Sequence, residues 1–231
     1  MTHMNRWTEF SSGSSAISPD FYQIDDIVKG GPERWSLKFR AFKLLCDYGL
    51  TILAAPFIIS CGLVLLVLNP FFNKGPLLFW QVRMGRYGRP FNMVKFRTMT
   101  CDATNVREAD DDLETHRITR LGKIMRKMRI DELPNFWNVL RGEMSLIGPR
   151  PDAFSHAEEF SKALVGYKER HRIKPGITGL AQVEMGYAEG SEMTVSKAKY
   201  DNMYASRSCG RLDLYIIWRT IKVILTGFGS K

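Results

Sequence analysis

The chain has 231 residues, which suits one domain with little room for a second. Hydrophobic residues at 45% and charged residues at 25% exclude a disordered or fibrous chain, and a mean hydropathy of −0.19 excludes a multi-span membrane protein. The net charge of +9 gathers in residues 35–100 and 117–129, with an acidic stretch at 101–116 between them; such clusters call for phosphate, in nucleic acid, anionic lipid or a small substrate.

Residues 1–34 are rich in Ser, Gly, Pro and Asp and lack the apolar core of a secretory signal, so they read as a loose arm. From Gly49 to Leu68 no residue carries a formal charge. As a helix this run spans roughly 30 Å, the thickness of a bilayer core. Pro56 near its middle predicts a kink. Basic residues flank the run on both sides: Lys38, Arg40 and Lys43 before it, Lys74, Arg83 and Arg86 after it. A simple span should show Lys/Arg asymmetry. Its absence favours a helix broken at Ala55–Pro56 that dips into the membrane and returns to the cytoplasmic face, with a simple span as the alternative.

Residues 77–100 hold two apolar runs around a Gly/Arg/Pro turn and predict a hairpin. Residues 117–129 carry six basic side chains, with Ile118, Leu121, Met125 and Met128 at helical spacing: a basic amphipathic helix. Leu133–Leu140 is a short helix candidate with Pro134 in its first turn. Gly148-Pro149-Arg150-Pro151 must be a shaped loop, with Asp152 placed to cap a helix over 153–170. Pro175-Gly176 marks a turn, and helices follow near 191–206 and 212–226. The four cysteines, Cys46, Cys61, Cys101 and Cys209, form no CxxC pair, which argues against a disulfide framework or zinc site.

Asp131 and Glu132 are adjacent carboxylates just after the basic helix, near Arg126, Lys127 and Arg129, with Arg150 following in the rigid loop. Carboxylates among fixed cations suit a divalent metal together with a phosphate, and a carboxylate can attack phosphorus. Lys95 and Arg97 alternate along a predicted strand, so both could face one phosphate; a solvated strand face is the plainer reading. No Walker A or GxGxxG motif is present, and His3, His116, His156 and His171 show no metal spacing.

KFRTM at Lys95–Met99, DELP at Asp131–Pro134, NVLRGEMSLIGPRP at Asn138–Pro151 and KPGITGLAQV at Lys174–Val183 together resemble the bacterial sugar transferases, the monotopic phosphoglycosyl transferases. The resemblance covers about residues 36 to 228. It implies an α/β, mostly helical fold: a flexible arm (1–34), a re-entrant membrane helix hairpin broken at Pro56 (35–73) and a small catalytic domain with interfacial amphipathic helices (74–231). It implies transfer of a sugar 1-phosphate from a UDP-sugar to undecaprenyl phosphate, releasing UMP, at the cytoplasmic face of a bacterial inner membrane. That is the opening membrane step of capsule, exopolysaccharide, O-antigen or glycoprotein glycan assembly. In this reading Asp131 is the nucleophile that carries the phosphosugar, and Glu132 holds Mg²⁺. Lys95, Arg97, Arg126, Pro149, Arg150, Pro151 and Gln182 lie at the substrates.

The chain departs from the family pattern at Asn135, where Gln is common, and at Met128 and Arg129. It also departs at Glu184–Glu189, which puts the donor sugar in question. Membrane lipids are expected partners, and the apolar hairpin offers a surface for a homodimer. A catalytically inactive scaffold of the same family and a membrane-tethered nucleic-acid binder are the competing readings. The intact Asp131, Glu132 and Arg150 weigh against the first, and the acidic 101–116 stretch with no recognition motif against the second. No nucleic acid is therefore expected as a partner.

Overall fold

The computed structural model describes residues 32, 35–73, 75–100, 115–185 and 191–226. Most of the N-terminal arm, the acidic stretch at 101–114 and residues 186–190, which include most of the divergent Glu184–Glu189 stretch, lie outside the described residues.

Ser36 starts the longest element. Its hydroxyl accepts a hydrogen bond from Phe39 N (3.2 Å), capping α1 (Leu37–Phe72). At 1.5 Å per residue α1 is roughly 54 Å long. Pro56 and Pro70 both lie inside this one helix. Pro56 brings no N–H to the Ile52 carbonyl, while its own carbonyl accepts the Ser60 hydroxyl (2.9 Å).

The side pattern of α1 is inverted. The buried stripe is Lys43, Asp47, Thr51, Leu65 and Asn69, four of them polar. The outward face carries Leu45, Leu53, Phe57, Leu63, Val67 and Phe71, each 60% or more exposed. A helix of a water-soluble protein buries the apolar side instead. Among the described residues α1 alone is long and apolar enough to cross a membrane.

The predicted hairpin forms. β1 (Leu78–Met84) pairs antiparallel with β2 (Pro90–Phe96), and Phe79 faces Lys95 across the ladder. The basic amphipathic segment is a shorter helix than its periodicity predicts, α2 (Arg120–Lys127), capped by Thr119, whose hydroxyl accepts from Gly122 N. Met125 is buried against Leu65 and Phe96, while Ile124 and Met128 stand exposed among Lys123 and Lys127. A single 3₁₀ turn, Ile130–Glu132, leads to α3 (Asn135–Leu140), with Pro134 at its start.

The parallel strand pair escapes the sequence reading, as does a short helix at Leu180–Met185. β3 (Ser145–Ile147) and β4 (Gly176–Thr178) form a two-stranded parallel sheet, each strand only three residues long. Between them α4 (Phe154–Ala163) stops well short of residue 170: Leu164 is already extended (φ −110°, ψ 121°), and beyond Gly166, at a left-handed φ of 79°, a 3₁₀ turn runs over Tyr167–Arg172. Ala153 rather than Asp152 is the N-cap of α4, and the Asp152 side chain is used elsewhere. The chain continues through α5 (Leu180–Met185), α6 (Ser191–Arg207) and α7 (Gly210–Thr226). The main core joins Ile147, Ile173, Val183, Tyr204 and Ile216 behind the parallel pair. A second cluster, Phe91, Met93, Val139 and Met144, seats the hairpin on α3. Among the described residues the fold is therefore mostly helical α/β, with two small sheets.

Candidate active site

Arg129 occupies the left-handed region (φ 58°), a conformation that costs a non-glycine residue about 1–2 kcal/mol. The sharp change of direction ends α2 and starts the turn that carries Asp131 and Glu132. Both carboxylates are buried, at 9% and 7% exposure. Arg150 Nη2 donates to Glu132 Oε1 at 2.6 Å, and Lys95 Nζ lies 3.5 Å from the same oxygen. The sequence-predicted residues thus converge from three elements: the 3₁₀ turn, β2 and the GPRP loop.

The two acids are driven apart electrically. Burial alone would raise Glu132, but Arg150 and then Lys95 overwhelm it and hold it well below the usual carboxylate range. Asp131 is raised above its ordinary value, by burial first and then by the negative charge of Glu132. Lys95, Arg150 and Arg126 oppose that rise. Lys95 is itself pushed down to about 8 by burial, against the pull of Glu132. Asp131 Oδ1 is buried and has no hydrogen-bond partner among the described residues. A buried carboxylate oxygen with no donor is costly unless something outside the chain completes it.

Arg126 turns its Nε to Thr98 Oγ1 (2.9 Å), just after β2, and acts on Asp131 through its charge. Arg97 lies one residue beyond β2 and is fixed by its backbone, its N–H on Leu77 O (2.9 Å) and its carbonyl on Asn73 Nδ2 (2.7 Å). Pro149 and Pro151 are buried, so they shape the loop on either side of Arg150. Gln182, on α5, donates from Nε2 to Ile177 O (3.2 Å) and leaves Oε1 buried without a partner among the described residues. Asn135, the departure after DELP, is fully buried with neither amide atom hydrogen-bonded among the described residues.

The Arg150 loop is held at almost every carbonyl. Gly176 N takes Pro149 O (2.8 Å), Arg170 Nη2 takes Arg150 O (2.7 Å), Arg83 Nη1 takes Pro151 O (3.1 Å) and Met84 N takes Asp152 O (3.1 Å). Just upstream, Lys43 Nζ takes Ile147 O (3.0 Å), and Asp47 Oδ1 accepts from Leu146 N (2.9 Å) and Ser145 Oγ (3.0 Å). Asn138 pins β2 to α3: its Oδ1 accepts from Val94 N and its Nδ2 donates to Asn92 O. Sequence reasoning missed Lys43, Asp47, Asn138 and Arg170 as site supports. Asn138 and Arg170 lie inside or beside the quoted motifs, but only the fold shows what a buried polar side chain holds.

Among the described residues no three His, Cys, Asp or Glu side chains converge. The Asp131–Glu132 pair, with substrate phosphates completing the sphere, would offer a divalent cation the hard oxygen ligands that suit Mg²⁺. The orphaned Asp131 Oδ1 fits that demand.

Comparison with known proteins places the chain in a family. The family described as "Bacterial sugar transferase" matches residues 38–227. The chain is 42% identical over 184 residues to a UDP-N-acetylgalactosamine-undecaprenyl-phosphate N-acetylgalactosaminephosphotransferase of Aeromonas hydrophila, covering 78% of this chain and 43% of that protein. It is 39% identical over 176 residues to a UDP-glucose:undecaprenyl-phosphate glucose-1-phosphate transferase of Klebsiella pneumoniae, covering 71% of this chain and 38% of the relative. To a protein of the same name from Caulobacter vibrioides it is 38% identical over 214 residues, covering 88% and 77%. The chain thus spans less than half the length of the first two relatives and about three quarters of the third.

Proposed function

The chain belongs to the bacterial sugar transferase family, and we propose that it moves a sugar 1-phosphate from a UDP-sugar to undecaprenyl phosphate, releasing UMP, through a covalent intermediate on Asp131. The observation that carries this reading is the asymmetric acid pair. Glu132 is ion-paired with Arg150 and flanked by Lys95, while Asp131, beside it, keeps a buried oxygen without a partner among the described residues.

The Asp131 oxygen attacks the phosphorus that bears the sugar, the bond from that phosphorus to the bridging oxygen breaks, and UMP leaves. A phosphate oxygen of the lipid then attacks the same phosphorus. The acyl-phosphate bond breaks, the Asp131 carboxylate is restored, and the sugar leaves on a lipid diphosphate. An anion approaching a diphosphate needs positive charge already in place. Arg150, Lys95 and Arg126 supply it from fixed positions, and the buried setting makes each worth more than in water. Glu132 with the substrate phosphates would hold Mg²⁺, which when bound adds positive charge against the diphosphate.

The membrane reading rests on α1. Its outward apolar face supports insertion, and Pro56, which leaves the Ile52 carbonyl without a ladder donor, is where it would bend to enter and leave by the cytoplasmic face of the inner membrane. The exposed Ile124, Met128 and Trp218, interleaved with Lys123, Lys127 and Lys222, would rest among anionic head groups. The relatives' names divide between N-acetylgalactosamine and glucose donors, so the donor is proposed at the level of a UDP-hexose.

The test is UMP release by protein held in nanodiscs with undecaprenyl phosphate, Mg²⁺ and a panel of UDP-sugars. Release from one or two donors, lost with EDTA and in Asp131→Asn, is expected. Wild-type rates in Asp131→Asn would remove the covalent step. Silence from every donor in folded protein would favour the scaffold reading.

A further inference from the structure

Of the donors that hold the Arg150 loop, one is unlike the rest. Pro149 O and Asp152 O are held by backbone amides, and Pro151 O by a partly buried arginine. The carbonyl of Arg150 itself is held by Arg170, only 1% exposed and the largest fully buried side chain among the described residues. Arg170 Nη1 donates to Asp152 Oδ2, and Nη2 lies 2.7 Å from Asp201 Oδ2 on α6. Lys197, also on α6, donates to Asp152 Oδ1 (2.7 Å), and the Tyr167 hydroxyl donates to Asp152 Oδ2. Two cations and two anions thus gather behind the loop, Arg170 and Asp201 fully buried and Asp152 and Lys197 partly so, and none of them is hydrogen-bonded or ion-paired to Asp131 or Glu132.

Such a cluster is a weak source of stability. Desolvating four charges offsets most of their attraction, and well-packed apolar residues often serve as well. What apolar residues could not do is seize a carbonyl. A guanidinium can, because its fork serves two carboxylates and still has an N–H to spare.

We propose that Arg170 is a positioning residue for the transfer reaction: its fork, seated between Asp152 and Asp201, fixes the Arg150 main chain and thereby sets the Arg150 guanidinium against Glu132. The proposal rests on the sugar-phosphate transfer reading above. Its physical basis is leverage. Arg150 reaches Glu132 at 2.6 Å through a long side chain, and a shift of about 1 Å at a reacting centre can cost roughly 10²-fold in rate. Lysine at position 170 keeps the charge but has no fork to span Asp152, Asp201 and the carbonyl at once.

The experiment is a mutant cycle on the full chain in nanodiscs: wild type, Arg170→Lys, Arg150→Ala and the double variant, each read by UMP release. Arg170→Lys is expected to lower kcat/KM by about 10–100-fold. The double variant should be no worse than Arg150→Ala alone, because both remove one device. Multiplying losses would overturn the proposal. Hydrogen exchange at the Gly176 and Met84 amides, whose acceptors are loop carbonyls, reads the loop with no turnover required. It should quicken in Arg170→Lys, and unchanged protection would equally overturn the proposal. If Arg170→Lys does not fold, Asp201→Asn, which keeps the grip of Arg170 on Asp152, is carried through the same cycle under the same criteria. If the wild type releases no UMP from any donor, the transfer reading fails on its own, and amide exchange alone decides whether Arg170 positions the loop.

Discussion

Lys95 ties the chemistry to pH. It is held near 8 by burial, so as pH rises through about 8 it loses its proton and Glu132 loses one of its two cations. UMP release is expected to fall along that alkaline limb. In Lys95→Met the limb should vanish and the rate be low throughout. On the acid side, protonation disarms Asp131, and because burial and Glu132 raise that group, the acid limb should sit above the ordinary carboxylate range. Stability moves the other way at high pH. The folded value of Lys95 lies below its unfolded value of about 10.4, so the folded state binds fewer protons and gains stability between about 8 and 10.4. A pH series of rate and of thermal midpoint on the same sample would separate the two trends. At this scale the sequence was informative where a motif names an acid or a base. It was silent on Arg170 and Asp201, which stand 31 positions apart and meet only because α6 packs against the turn after α4.

The elements that frame the site depend on close backbone approach. β3 and β4 meet through glycines: a Cβ on Gly176 would overlap the Gly148 amide nitrogen, and one on Gly179 would overlap the Gly148 carbonyl oxygen. This is the physical content of the glycines in GPRP and KPGITG. Gly176→Ala must push apart two backbones that also bear the Gly148 N to Thr178 O bond (2.9 Å). It is expected to cost about 1–3 kcal/mol or more of stability and to reduce UMP release further than that loss alone explains, measured by urea unfolding beside activity. The hairpin, α6 and α7 were legible from periodicity and turn residues. β3 and β4 were not, because three residues show no period and a parallel partner some thirty positions away leaves no local mark. The helix over 153–170 was overdrawn for a related reason: the chain leaves the helix at Leu164, in extended backbone that no residue type there announces, and Gly166 then turns left-handed into the 3₁₀ turn.

At the scale of the whole molecule, the run of uncharged residues announced a helix long and apolar enough for a membrane but concealed its polar stripe. Lys43, Asp47 and Asn69 bracket that run, and read in line they look like ordinary flanks. Folded, they form the side by which α1 grips the domain. Lys43 donates to Ile147 O and Tyr204 OH (2.9 Å) and pairs with Asp213 (3.2 Å), and Asp47 takes the Leu146 amide. Without α1 the Leu146 amide, the Ile147 carbonyl and the Asp213 carboxylate would each lose a buried partner, at about 1–3 kcal/mol apiece, set against the 5–15 kcal/mol that keeps a typical domain folded. A fragment beginning at residue 74 should therefore show no cooperative melt by circular dichroism, whereas the intact chain in nanodiscs should show one. The inverted helix is in this sense an internal strut as much as a float: a detergent that loosens it would slacken the Arg150 loop from behind, and activity lost on extraction would be lost as shape before it was lost as solubility.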